Sequence, residues 1–528
     1  MVNHIVAMIV FSGVVNSAIL AIICAVAISP EKNSFRFFML YLATLSIFLF
    51  SKRYSLIKSS ILAETAVGQV RLRIIDKIRH ADLRLLEQIG RSSIHSRLTT
   101  DTTEISMGFS GMIHSAQAMV MVVFAVMFLA FISLPIFLMT ITVFGICGVI
   151  YFLNEEKAEI LIRDSSRKET ELFSLVDHVI DGFQELRINK TKNDSLFDQY
   201  LRPLADTTTN VKLKFFYLLN NGLIFSISFV HILIISTIFI LPRFITITEI
   251  TIIQAIAIIL YIVGPFNHVL GSISIFSRTA IAIENLYKFE EDLEVPDHNY
   301  DAPGSSELAN IVEFKQIELI DFEFHYADPN GTPAFGIGPC DLKIKANETL
   351  FIVGGNGSGK STFLKLLTGL YYHENGNLKL DDISVNLSNY QDYRNLFSIV
   401  FTDFHLFDRL YGSEEAEESV VNELLHQMEI EHKTKFVDGR FSNINLSTGQ
   451  KKRLALVAAI LDEKPIYVFD EVAADQDPQF RQYFYETILP DLKKKGKTII
   501  AATHDDKYFH TADRILKMEY GQFIPYEP

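Results

Sequence analysis

The stretch Thr349–Leu370, TLFIVGGNGSGKSTFLKLLTGL, decides the fold of the C-terminal part of this chain. Thr349–Val353 is a short apolar run of strand type. Gly354-Gly355-Asn356-Gly357-Ser358-Gly359-Lys360-Ser361 follows and matches GxxxxGK[ST]. Thr362 and the apolar residues after it read as a helix. Strand, glycine loop and helix in that order form a phosphate cradle. The glycines let backbone N–H groups turn inward around phosphate oxygens, and the helix N-terminus adds a favourable field. Lys360 is placed for the β- and γ-phosphates of a nucleotide, and the Ser361 hydroxyl for Mg²⁺.

Working outward, Ile466–Glu471 reads IYVFDE, four apolar residues and then two carboxylates. A buried strand of this kind delivers Asp470 beside the metal, normally through its water shell. Glu471, one residue on, is placed to polarise an attacking water as general base. About 20 residues before this pair lies Leu446-Ser447-Thr448-Gly449-Gln450, followed by KKRLALVAAIL.

That last motif resembles the ATP-binding-cassette signature LSGGQ, with Thr in third place. The resemblance implies that the signature of one subunit closes over ATP held by the phosphate loop of another. Ser447, Gly449 and Gln450 would then touch nucleotide in trans, and the cofactors are ATP and Mg²⁺. His504 in IIAATHDD is similar to the family's switch histidine, which contacts the γ-phosphate. Asp477 in ADQDP matches the D-loop aspartate. Tyr326 in FEFHY resembles the aromatic that stacks on adenine. The Q-loop glutamine, a metal ligand in the family, falls on Thr402 in VFTDFHLF, and a threonine spans less distance to the metal.

Upstream the texture differs. Hydrophobic residues make up 49% of the 528-residue chain, yet 21% are charged, which suits a membrane part joined to a soluble part. Six apolar stretches precede residue 275: Ile5–Ser29, Phe37–Phe50, Ile113–Ser133, Ile136–Leu153, Gly222–Leu241 and Ile250–Val263. The first is too long for a signal-peptide core and is read as a retained helix. The second and fourth connections, about Ser51–Met112 and Asn154–Asn221, are long, mixed in polarity and helical in spacing. They predict membrane helices continuing far beyond the bilayer. The first of them concentrates Lys and Arg, so the positive-inside rule puts both long loops and both termini in the cytoplasm. A net charge of −14 argues against nucleic acid as a partner. The three cysteines, Cys24, Cys147 and Cys340, are far apart and indicate neither a disulfide framework nor a zinc site.

The predicted organisation is therefore a multi-domain membrane protein. A six-helix all-α transmembrane domain of exporter type (1–290) is followed by a Pro/Gly/Ser-rich acidic linker (291–310) and an α/β P-loop ATPase domain (311–528). His95–Ile105 and Asp181–Phe197 resemble the intracellular coupling segments of exporters. LSTGQKKRLAL, the AADQDP turn and VFTDFHLF are similar to a narrower bacterial group, the cyclic-peptide and siderophore exporters of the syringomycin, pyoverdine and microcin-efflux type. The resemblance implies a homodimer in the lipid bilayer of the bacterial cytoplasmic membrane, exporting a peptide-like small molecule. A lipid flippase, a multidrug exporter or a non-transporting ATPase sensor would share the ATPase motifs. Polar residues inside the spans (Asn16, His114, Gln117, Asn220, Asn221, His231, Gln254, Asn267 and His268) face either a cavity or neighbouring helices.

Overall fold

The computed structural model describes residues 2–28, 34–293, 308, 311, 313–327, 333–413 and 415–526. The chain forms two compact units. One comprises Met1–Ala81 with Leu85–Glu294, the other Asp82–Arg84 with Val295–Pro528.

The first unit is helical. Its principal helices are α1 (Val2–Ile28), α2 (Ser34–His80), α5 (Thr102–Ile132), α6 (Leu134–Asp181), α9 (Arg202–Ile235) and α10 (Glu249–Asp292); the short helices α3 (Leu83–Ile89), α4 (Arg91–Ser96), α7 (Phe183–Ile188) and α8 (Lys190–Ser195) lie in the two long connections. Among the described residues, six helices are long and apolar enough to cross a membrane. The apolar stretches are only parts of them: α2 has 47 residues, α6 has 48 and α10 has 44. At 1.5 Å per residue these are about 65–72 Å long, roughly twice the thickness of a hydrocarbon core.

Hydrocarbon as solvent inverts the usual burial. Phe50 is 70% exposed and Phe131 87%, as expected where lipid tails are as apolar as the side chain. Helices therefore associate through close approach and polar contacts. A Cβ on Gly108 of α5 would lie 1.8 Å from Thr279 Oγ1 of α10, and one on Gly13 of α1 would lie 2.6 Å from Val120 Cγ1 of α5. Several of the intramembrane polar residues join helices. Gln117 donates to the Ser12 hydroxyl, Gln254 Nε2 donates to the Cys24 carbonyl at 3.1 Å, and Ser226 Oγ donates to Asn267 Oδ1 at 3.1 Å. His231 bonds its own helix at the Ile227 carbonyl. His114 and His268 pair their rings at 5.8 Å across α5 and α10.

Most of the predicted linker, 294–307 and 309–310, lies outside the described residues. Its first residues are not linker: α10 runs to Asp292, because Leu286, Phe289 and Leu293 pack on Ile74 and hold the last turns. Of the segments likened to coupling regions, His95–Ile105 spans the end of α4, a π-helical turn at Arg97–Asp101 and the start of α5. Asp181–Phe197 runs from the end of α6 through α7 and α8 into a second π-helical turn. The residues that group with the second unit, Asp82–Arg84, lie upstream of the first of these segments.

The second unit holds two principal sheets. Strands β1 (Gln316–Ala327), β2 (Pro333–Lys345), β4 (Asn375–Leu380) and β5 (Ile383–Val385) form an antiparallel sheet ordered β2-β1-β4-β5. The central sheet runs β12-β11-β3-β10-β9-β6, with β3 (Thr349–Val353), β6 (Phe397–Val400), β9 (Ile466–Asp470), β10 (Thr498–Ala502) and β11 (Arg514–Glu519) parallel and β12 (Gln522–Ile524) antiparallel at the edge. Strands β3, β9 and β10 are buried throughout, as parallel strands covered on both faces must be. Their side chains alternate between two cores. Leu350, Ile352, Val468 and Ile500 face one; Phe351, Val353, Tyr467, Phe469 and Ala501 face the other. The register pairs Ala502 with both Ile352 and Asp470, so β3, β9 and β10 end at one level. The site is built on that edge, at the carboxyl ends of the strands.

Candidate nucleotide site

The loop leaving β3 turns through residues that other side chains rarely permit. Gly357 and Gly359 have φ of +77° and +109°. They aim the chain into α11 (Lys360–Leu367), whose first residue is Lys360. The Lys360 side chain is only 4% exposed. Its Nζ donates to the carbonyls of Gly354 (3.0 Å) and Gly355 (3.2 Å) and lies 3.0 Å from His504 Nε2.

The ends of β9 and β10 close on the same point. Glu471 Oε1 lies 2.9 Å from His504 Nε2 and 3.4 Å from Lys360 Nζ. A neutral imidazole cannot use one nitrogen both to accept from the ammonium and to donate to the carboxylate. Cation, carboxylate and ring nitrogen thus converge on a single small volume. Glu471 reaches it from a left-handed backbone, φ +51°, a conformation costing about 1–2 kcal/mol for a residue with a Cβ. Its N–H donates to the Ala502 carbonyl at 3.1 Å.

Asp470 is 1% exposed, and its Oδ1 has no hydrogen-bond partner. Burial pushes its carboxyl up from the ordinary value, against the hydroxyls of Ser361 and Thr402, which pull it down. Ser358 Oγ is likewise buried and unpartnered. A desolvated carboxylate beside a serine hydroxyl is an oxygen donor set that fits a hard divalent cation. A cleft of about 320 Å³ opens onto the phosphate loop and Glu471. It is lined by Phe335, Thr362 and Glu471 with Asn356, Gly357, Gly359, Lys360 and Ser361 of the loop.

The signature residues are not in that lining. Ser447 caps α14 (Thr448–Leu461) in a reciprocal box: Ser447 N donates to Gln450 Oε1 at 3.2 Å, and Gln450 N to Ser447 Oγ at 3.5 Å. Asp477 caps α15 (Pro478–Tyr483), its Oδ1 accepting from Phe480 N at 2.9 Å, and pairs with Arg453. Gln476 bridges Arg453 Nε (3.0 Å) and the Gly449 carbonyl (2.9 Å).

Comparison with known proteins agrees with this geometry. The family model described as ABC transporter matches residues 337–474. The chain is 33% identical over 471 residues to the ATP-binding protein SyrD of Pseudomonas syringae pv. syringae, covering 86% of this chain and 82% of that protein. This chain belongs to the ABC transporter family. The β-(1→2)glucan export ATP-binding/permease protein NdvA of Bartonella bacilliformis is 24% identical over 66% of the chain and 60% of its own length. In fold, the structure of a bacterial Atm1-family ABC exporter with ATP bound superposes with a TM-score of 0.80 at 16% identity, covering 99% of this chain and 94% of that one. The protein is thus a multi-pass ABC exporter whose ATPase domain binds ATP and couples its hydrolysis to transport.

Within this ABC exporter chain, Thr402 and Tyr326 stand apart from the simple sequence picture. Thr402 Oγ1 donates to the Asp470 carbonyl at 3.1 Å and also faces the Asp470 carboxyl, so its hydroxyl serves the strand end that carries Asp470. Tyr326 packs edge-on to Phe324 and Tyr371 and donates to the Tyr371 hydroxyl at 3.3 Å. The aromatic ring on the cleft is Phe335, the cross-strand partner of Tyr326, with ring centroids 6.5 Å apart. Sequence reading missed Phe335 because only the β1–β2 register brings it there. It also missed Lys452, a lysine in the helix after the signature that is 2% exposed. The signal available was a run of three cations, Lys451-Lys452-Arg453, at the start of an otherwise core-facing helix.

Proposed function

We propose that two copies of this chain form an alternating-access exporter in the bacterial cytoplasmic membrane, moving a peptide-derived secondary metabolite outward. The observation that carries the two-copy reading is the lining of the cleft: it contains the phosphate loop and Glu471 but neither Ser447, Gly449 nor Gln450. One chain has one loop and one signature, so two chains supply two complete sites. In each, Lys360 and the loop amides bind the phosphates of ATP, with Phe335 or Tyr326 against the base. Ser361 and Asp470 would hold Mg²⁺, which would supply charge neutralisation on the phosphate oxygens. Glu471 accepts the proton of the attacking water, and His504 orients the γ-phosphate. Ser447, Gly449 and Gln450 of the other chain close the site, beside its Asp477. The concentration of Lys and Arg in the first long connection supports cytoplasmic ATPase domains and termini.

The cargo class rests on the likeness of LSTGQKKRLAL, the AADQDP turn and the Thr402 segment to the cyclic-peptide and siderophore exporters. Inverted vesicles carrying the protein test it. ATP-dependent accumulation of a cyclic or constrained peptide, absent from Glu471→Gln vesicles, is expected. Transfer of lipid or unrelated drugs with no peptide uptake would overturn the cargo assignment.

A further inference from the structure

Lys452 sits one turn into α14, between the signature and the carboxylate end of β9. Its side chain is 3% exposed. An ammonium so deeply buried needs partners, and it has two. Nζ lies 2.7 Å from Asp475 Oδ2 and donates to the backbone carbonyl of Glu471 at 3.0 Å. The second bond fixes the peptide plane that leaves Glu471. That residue's N–H is already tied to the Ala502 carbonyl. With both of its peptide groups anchored, Glu471 is held in the left-handed conformation that aims its carboxylate at Lys360 and His504.

The same two turns of helix hold the signature. The Gly449 carbonyl accepts from Gln476 Nε2, and Arg453 grips Gln476 and Asp477. A Cβ on Gly449 would lie 3.0 Å from the Asp475 carbonyl, so the signature loop and residues 475–477 lie against each other. Among the described residues, Lys452 is therefore the cation that joins the signature helix directly to the Glu471 backbone.

We infer that Lys452 is a positioning residue for Glu471, transmitting the seating of its own chain's signature helix to its own chain's hydrolytic carboxylate. The inference rests on the two-chain reading above, in which that signature serves the nucleotide of the other chain. Lys452 then makes hydrolysis in one site depend on the nucleotide in the other. Lys452 does not line the cleft. Its effect is on the rate of the hydrolytic step and on cooperativity, not on ATP affinity.

The test uses the full-length protein in lipid nanodiscs, comparing wild type, Lys452→Met, Lys452→Arg, Asp475→Asn and Glu471→Gln. For Lys452→Met, kcat is expected to fall about 10–100-fold, the scale of a small misplacement of a catalytic group. KM for ATP should stay within about two-fold and the Hill coefficient should fall towards one. Lys452→Arg should recover part of the rate, because it restores a cation to the carbonyl. Asp475→Asn keeps the bond to Glu471 and should retain most of the rate. If Lys452→Met does not fold, Lys452→Leu removes the same donor and gives the same reading. A Lys452 variant with lowered thermal stability but unchanged kcat and Hill coefficient would make the residue merely structural and overturn the inference. Full hydrolysis by Glu471→Gln would instead remove the assigned base, and with it the reading on which this inference rests.

Discussion

At the phosphate end of the ATPase unit, Asp470 and Ser358 bury oxygens that have no partner, and Lys360, Glu471 and His504 crowd round a single ring nitrogen. At the signature end, Ser447, Gln450, Arg453, Gln476 and Asp477 satisfy one another within the chain. Both ends belong to one fold, and both carry family motifs. The first is polar machinery with bonding capacity left over, which a charged ligand would use. The second is a finished surface. Its Ser447 hydroxyl and helix N-terminus are presented from a rigid, self-capped frame. An unfinished half and a finished half on one chain are what a site shared between two chains requires.

Removing the hydrolytic group tests the unfinished half hardest. Glu471→Gln should lower ATP turnover by about 10²–10⁴-fold, the usual worth of general base catalysis, with nucleotide binding retained in a fluorescent-ATP titration. Lys360→Ala should act on binding instead. Charged hydrogen bonds contribute about 1.5–3 kcal/mol, so affinity for nucleotide should fall roughly ten- to a hundred-fold in the same titration.

The finished half should respond in stability as well as in rate. Asp477 caps α15, and Asp477→Ala should cost about 1 kcal/mol in thermal or denaturant unfolding of the ATPase unit. The Phe480 amide and then Arg453 hold the Asp477 carboxyl below the ordinary value. A lowered folded-state pKa gives stability that is present above the unfolded value, about 3.9, and is lost as pH falls through the lower folded value. The difference between wild type and Asp477→Ala should therefore be full at pH 7 and shrink below about pH 4. Equal losses at both pH values would mean that the carboxylate charge is not what the cap uses.

Much of this was legible in the sequence, for a physical reason. Phosphate binding needs glycines, a lysine and a hydroxyl at fixed spacing along one strand–loop–helix, so Gly354–Ser361 is a local pattern. Membrane spans are also local, because a bilayer demands length rather than partners. What was not legible depends on register or on packing across distant segments. Phe335 reaches the cleft only through its pairing with Tyr326. Lys452 meets Glu471 only because α14 crosses the end of β9. The end of α10 at Asp292 was not legible either, because EED reads as solvated, whereas Phe289 and Leu293 beside it are buried against Ile74.

The central claim is that the signature of one chain completes the phosphate site of another. It can be tested in a Glu471→Gln background with Cys24, Cys147 and Cys340 replaced by serine. Asn356→Cys is placed in one population of chains and Thr448→Cys in another, and the two are co-expressed. A short thiol-to-thiol reagent added with magnesium and ATP should join two chains in the mixture, and should do so far less without nucleotide or in either population alone. Failure of the mixture to cross-link under any nucleotide condition, with ATP bound, would contradict the shared site.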